Sequence, residues 1–130
     1  MKRRRLLVLL SAPFSFFGQQ RRKPQPATQI EVRELKVARA ERRITLDGVI
    51  RNSGTRSLTK LLLLFDLLDA DGKTISRRRG TVEEAVLEAG NESRFQFYVA
   101  DHARAVEVSV AAEQRGQEID VAKPGPYLIE

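Results

Sequence analysis

The feature that most constrains this chain is a hydrophobic period of two that begins near Thr28 and runs through most of the remaining sequence. In TQIEVRELKVARA, Ile30 and Val32 alternate with charged residues, and Leu35 and Val37 resume the alternation after a one-residue phase shift at Glu34. Alternation of this kind suits a half-buried strand, and a one-residue shift is how a β-bulge reads in sequence. RRITLDGVIRNSG repeats the theme, with Ile44, Leu46 and Ile50 on one face and Gly48 between them. A glycine there predicts a bulge or a large side chain opposite. Asn52-Ser53-Gly54 is a turn signal.

The leucine run of LTKLLLLFDLLDADGK also reads as strand, because Asp-Gly turn chemistry closes it and no helix-capping residues do. Leu61, Leu63, Phe65 and Leu67 would face the core, each worth about 1.5–3 kcal/mol if fully buried. Leu62, Leu64 and Leu68 fall on the opposite face, which is then unusually apolar. Thr74-Ile75-Ser76 precedes a charged stretch. Val82, Val86 and Leu87 come next, spaced ambiguously between a helical turn and a strand, with a strand expected. SRFQFYVAD places Phe95, Phe97 and Val99 inward, and AVEVSVAAEQ places Val106, Val108 and Val110 inward. About seven short strands in about a hundred residues predict an all-β fold, an immunoglobulin-like antiparallel β-sandwich.

Ahead of the strands, MKRRRLLVLLSAPFSFFGQQ has the layout of a secretory signal, a basic start and then an apolar run from Leu6 to about Phe17. That run is short of the ~20 apolar residues of a spanning helix, and Pro13 interrupts it. A plain Sec signal is favoured over the loose twin-arginine pattern of Arg3-Arg4-Arg5. Phe16 and Phe17 crowd the cleavage region, so residues 1–18 are either a signal peptide or a weak anchor. Residues 19–28, with Pro24, Pro26 and the Arg21-Arg22-Lys23 cluster, have linker composition. The sandwich is expected over 29–115 and a C-terminal tail over 116–130, with docking of the tail on its own domain favoured over fraying. The expected address is export, to periplasm, envelope or medium.

Charge narrows the partners. Seven of the 23 basic residues lie in 1–26 with no acid, leaving 16 basic against 17 acidic residues in 27–130. The net charge of +6 is therefore an N-terminal property. A body so balanced argues against nucleic acid as a partner, as does the lack of tryptophan for a stacking platform. Membrane contact is expected only through the N-terminal segment. With no cysteine there is no disulfide, no thiolate nucleophile and no lipid anchor.

At FDLLD the chain resembles the FxLYD family of bacterial domains: Phe65-Asp66-Leu67-Leu68-Asp69, with Leu68 in place of the family's tyrosine. LDGVIRNSGTRSL is similar to that family's G-x-V-x-N segment and small-residue turn, DADGK to its post-motif turn, and LEAGNESRFQF to its Leu-x-x-Gly-Glu-x-x-x-Phe segment, with Ala89-Gly90 where Pro-Gly is usual. The resemblance covers roughly residues 30–112. It implies an immunoglobulin-like sandwich, generally in exported bacterial proteins, with no assigned catalytic activity; no cofactor is expected.

Three places carry candidate chemistry. Asp69 and Asp71 have the look of a calcium loop, but no terminal acid arrives in register and Arg77-Arg78-Arg79 comes soon after, so a turn is expected. Asp101 stands beside His102, the only histidine, without a nucleophile-elbow pattern around Ser93 or Ser109. Arg77, Arg78 and Arg79 either guard an edge strand or meet an anionic partner, with the guard favoured. The first functional expectation is a non-catalytic module that binds an envelope or secreted protein through a sheet face or edge, with Leu62 and Leu64 part of an apolar patch covered by a partner or by the tail. The alternative is a hydrolytic or metal-dependent enzyme built on Asp101 and His102 or on Asp69 and Asp71.

Overall fold

The computed structural model describes residues 29–130. The signal segment and linker expected over 1–28 lie outside the described residues. Among these the chain has no helix. Six strands of eight or more residues form the frame: β1 (Ile30–Ala40), β2 (Arg43–Asn52), β4 (Leu61–Leu68), β5 (Thr74–Thr81), β7 (Glu92–Ala100) and β8 (Glu107–Gln114). Five short ones complete it: β3 (Leu58–Thr59), β6 (Val86–Leu87), β9 (Gln117–Ile119), β10 (Val121–Ala122) and β11 (Tyr127–Leu128). One sheet runs β10-β1-β2-β7. The second runs β11-β8-β4-β5 with β9 also on β8, and β3 pairs with β6. The long strands pair antiparallel, as expected of an immunoglobulin-like sandwich, and β10 alone joins β1 in parallel.

The core lies between the sheets because the period-two residues of both face inward. Ile30, Val32, Val37, Ile44, Leu46 and Ile50 of the first sheet meet Leu61, Leu63, Phe65, Leu67, Val108 and Val110 of the second. The phase shift read in β1 is a bulge between Val32 and Glu34. Gly48 pairs with Leu35 on one side and Phe95 on the other. A Cβ at Gly48 would collide with the Glu34 carbonyl oxygen and sit 2.7 Å from Phe95 Cζ. The glycine makes room for the Phe95 ring, and that ring packs with Phe65 and Phe97 at centroid separations of 5.7 and 5.8 Å. Gly80 of β5 does the same for Phe97, whose ring occupies the space a Cβ would need.

Three expectations change. Val106 stands 37% exposed rather than inward, since it precedes β8 and comes directly after the loop that turns at residues 101–105. Val86 is also largely exposed, and Val82–Leu87 is mostly a connection containing the two-residue β6. The strand expected there is instead β5, which runs straight through the charged stretch.

The tail takes part in both sheets. After β9, β10 crosses to β1, and β11 returns to β8 with Tyr127 opposite Val108 and Leu128 opposite Glu107. At the end of the chain Glu130 N–H donates to Val37 O and Arg39 N–H donates to Glu130 O, both at 2.9 Å. The segment 116–130 thereby covers the side of the sandwich where β1 and β8 would otherwise be edges.

Candidate functional site

Of the polar places singled out in the sequence, two are turns in the structure. β4 reaches β5 through the bend at 69–73, where Asp69 Oδ1 accepts from Asp71 N–H at 2.9 Å and Lys73 N–H at 3.0 Å. Gly72 supplies the positive φ of 80° that the bend needs. The Lys73 hydrogen bond, helped by that of Asp71 N–H, holds the Asp69 carboxyl below its ordinary range. Its Oδ1 is thus turned to backbone donors, and among the described residues no three His, Asp or Glu side chains gather where a metal would sit.

The Asp101-His102 pair is arranged around backbone too. Asp101 Oδ1 accepts from the His102 backbone N–H at 2.7 Å, and the same carboxylate takes the Arg39 guanidinium at 2.8 Å. Arg39 Nη2 donates onward to Ala105 O at 2.6 Å. The imidazole Nδ1 accepts from Arg104 N–H at 3.1 Å. Aspartate and imidazole therefore do not orient one another, and Arg39 ties this loop to β1. Ser93 Oγ is engaged by Glu84 N–H and Arg94 O, while Ser109 pairs with Asp66 on the outer face of the second sheet. No local pattern marks the Arg39–Asp101 pair, whose members are 62 positions apart.

The apolar face expected at Leu62 and Leu64 is not an open one. Leu64 is 1% exposed and Leu62 is half-buried. Register sets Leu64 between Arg79 of β5 and Ala111 of β8. A long arginine stem beside a leucine covers apolar surface while its charged head stays in water. Leu64 is accordingly removed from any contact surface; beside it Leu62 and Ala111 are half-buried, and Arg77 and Arg79 are exposed.

The third place is β5 itself. It is the last strand of the second sheet, paired with β4 alone, and it lies against β7, the last strand of the first. Alternation splits the arginine run between two sides. Arg77 and Arg79 stand opposite Asp66 and Leu64 on the outer face, while Arg78 stands opposite the core residue Phe65 and leaves the sandwich at its rim. Arg77 forks onto Asp66 through Nε–Oδ1 at 2.7 Å and Nη2–Oδ2 at 2.9 Å, which keeps its own guanidinium even more firmly protonated. Arg78 and Arg79 are exposed and have no ion pair or side-chain hydrogen bond among the described residues.

The other edges differ. β10 and β11 are two residues long, and the start of β7 is met by the 82–84 segment, where Glu83 N–H donates to Arg94 O and Glu84 N–H to Ser93 Oγ. One more buried polar group matters for this architecture. Asn52 at the end of β2 donates from Nδ2 to Arg56 O at 2.7 Å and Leu87 O at 2.9 Å, and accepts from Gly54 N–H at 2.9 Å. In sequence it reads only as part of a turn. Its structural task is to pin the β2–β3 turn and β6 to the core.

Fold and geometry together define an immunoglobulin-like β-sandwich with one long cationic edge. No protein-family model matches the chain, and no match is found among curated proteins. Among solved structures it is similar to part of a β-glucuronidase of glycoside hydrolase family 2, at 12% identity and a TM-score of 0.54, over 71% of this chain and 12% of that one. A β-glucuronidase of Bacteroides uniformis shares 16% identity over 70% of this chain and 12% of its own, with a TM-score of 0.47. IrmA of Escherichia coli shares 14% over 78% of this chain and 95% of its own, with a TM-score of 0.43. The chain spans about an eighth of the length of these glucuronidases. The first likeness is one of fold.

Proposed function

We propose that this protein is an exported, non-catalytic β-sandwich module of the FxLYD type that binds an anionic envelope or secreted protein through the edge strand β5. The observation that carries the reading is the pair of exposed, unpartnered guanidiniums of Arg78 and Arg79 on an eight-residue edge strand that pairs, among the described residues, with β4 alone. Exposed arginines held on a strand present charge in fixed positions, and charge of one sign steers a partner of the other and rejects its own kind. Export rests on the signal-like start at Lys2-Arg3-Arg4-Arg5 and the apolar run behind it. The FxLYD pattern at Phe65–Asp69 adds the expectation of a bacterial envelope setting.

The test is chemical cross-linking and capture from the host envelope with the full chain as bait, beside an Arg78→Glu/Arg79→Glu variant whose circular dichroism matches wild type. The reading expects an acidic protein that is held by wild type, released by salt and lost by the variant. Equal capture by both baits, or none by either, contradicts it.

A further inference from the structure

We infer that the partner docks by adding an extended strand to β5, and that this strand carries two consecutive acidic residues next to an apolar one. The inference rests on the binding reading above and specifies the chemistry of its partner.

Backbone geometry is the first support. In an edge strand alternate residues aim their N–H and C=O away from the sheet, an open template for another strand. β5 runs for eight residues hydrogen-bonded to β4 only, and no backbone hydrogen bond from elsewhere in the described chain reaches residues 74–81. Strand addition satisfies these groups while side chains at alternate positions set the choice of partner.

Side-chain register is the second. Neighbouring residues of an added strand point to opposite faces. Arg79 lies on the outer face and Arg78 on the rim side, so two successive acids, one per face, meet both cations. Arg77 already holds Asp66 and asks for no third acid. On the rim side, two residues beyond Arg78, Gly80 carries no side chain and the partly buried Phe97 ring sits over it. An added residue opposite Gly80 therefore faces an aromatic surface rather than a charge. The preferred strand thus reads apolar–acid–acid, in register with Gly80, Arg79 and Arg78.

The same arginines exclude the commonest competitor. Two copies of β5 set edge to edge would oppose arginine runs, and like charges facing one another across a strand pair are unfavourable. The edge that resists self-association admits an acidic strand, which is specificity by a difference between partners.

The test uses the full chain and synthetic peptides of valine and threonine with a central Leu-Glu-Glu. Binding is read by fluorescence anisotropy and amide exchange over residues 75–81. The inference expects saturable binding with slowed exchange in β5. A Leu-Gln-Gln peptide, or the Arg78→Glu/Arg79→Glu protein, should bind about tenfold more weakly or worse, and a Leu-Lys-Lys peptide should restore binding to that variant. A peptide N-methylated at alternate residues keeps its charge but cannot pair along one edge, and should fail. Equal binding of the methylated peptide without protection of β5 overturns strand addition yet leaves a cationic binding edge. No binding of the Leu-Glu-Glu peptide also overturns the inference, whereas the binding reading itself falls only with the envelope capture.

Discussion

Replacing Asn52 tests how much of this fold hangs on a single buried amide. Asn52 is wholly buried, and three backbone groups converge on it: the carbonyls of Arg56 and Leu87 and the N–H of Gly54. In Asn52→Ala all three lose their partner. The Leu87 bond is buried, so that carbonyl bears the full cost of an unmet acceptor, about 1–3 kcal/mol. The other two are partly buried, where water offsets some of the loss, leaving about 0.5–1 kcal/mol each. The sum is about 3 kcal/mol, which for a domain of this size lowers Tm by about 12–20 °C.

Asn52→Asp adds a pH signature. The carboxylate still accepts from Gly54 N–H but faces two carbonyl oxygens with no proton to give. Its folded pKa therefore lies above the unfolded value of about 3.9, and the native state takes up the proton first. The penalty is fully present above the folded pKa and eases as pH falls through it. Urea unfolding of the full-length wild type and both variants, at pH 7 and near pH 4.5, measures this. The gap between Asn52→Asp and Asn52→Ala should close or reverse at the lower pH. A loss below about 1 kcal/mol for Asn52→Ala, with no pH dependence separating the two variants, would refute the reasoning.

Gly48→Ala should cost about 1–2 kcal/mol in the same assay: overpacking against the immovable Glu34 carbonyl and the Phe95 ring outweighs the usual gain of alanine over glycine in a strand. Deleting residues 123–130 removes β11, the Glu130 bonds to β1 and the core contacts of Tyr127 and Ile129, and should destabilise by about 2–4 kcal/mol, where an unchanged Tm would show the tail to be a passenger. Because its folded pKa is depressed, Asp69 stabilises the 69–73 turn above its unfolded pKa and loses that effect as pH falls through the folded one. NMR titration should find the Asp69 carboxyl below the usual range in wild type and raised toward the ordinary value once Lys73 is replaced by proline, which lacks the donating N–H, while the Asp71 bond remains.

Much of the frame is legible in the sequence because half-buried strands write their burial in alternate letters. The bulge at Val32–Glu34, the large ring opposite Gly48 and the core face Leu61-Leu63-Phe65-Leu67 all arise from that period. β5 is harder to see, since an edge strand has neighbours on one side only and need not repeat apolar residues; Arg77-Arg78-Arg79 reads as a basic run that guards an edge, but only pairing with β4 fixes its extent and register. The burial of Leu64 is hidden for a related reason. Alternation assigns it to the outer face, but only pairing with Arg79 and Ala111 shows what stands beside it. The tail is obscured by Pro124-Gly125-Pro126, which breaks the period between β10 and β11 without ending the contact of the chain with the sandwich. The basic run of the candidate site is visible, whereas its division between two faces requires the pairing.

The central claim is that the partner sits on β5, and site-directed photo-cross-linking in the native host measures this most directly. A photoreactive residue is placed in turn at Thr81, exposed on β5 opposite Leu62, and at Thr45, on the outer face of the other sheet opposite Tyr98. With β5 as the docking edge, position 81 gives a discrete adduct, competed by an acidic strand peptide, and position 45 gives none. Adducts from position 45 alone, or the same adducts from both, would contradict it.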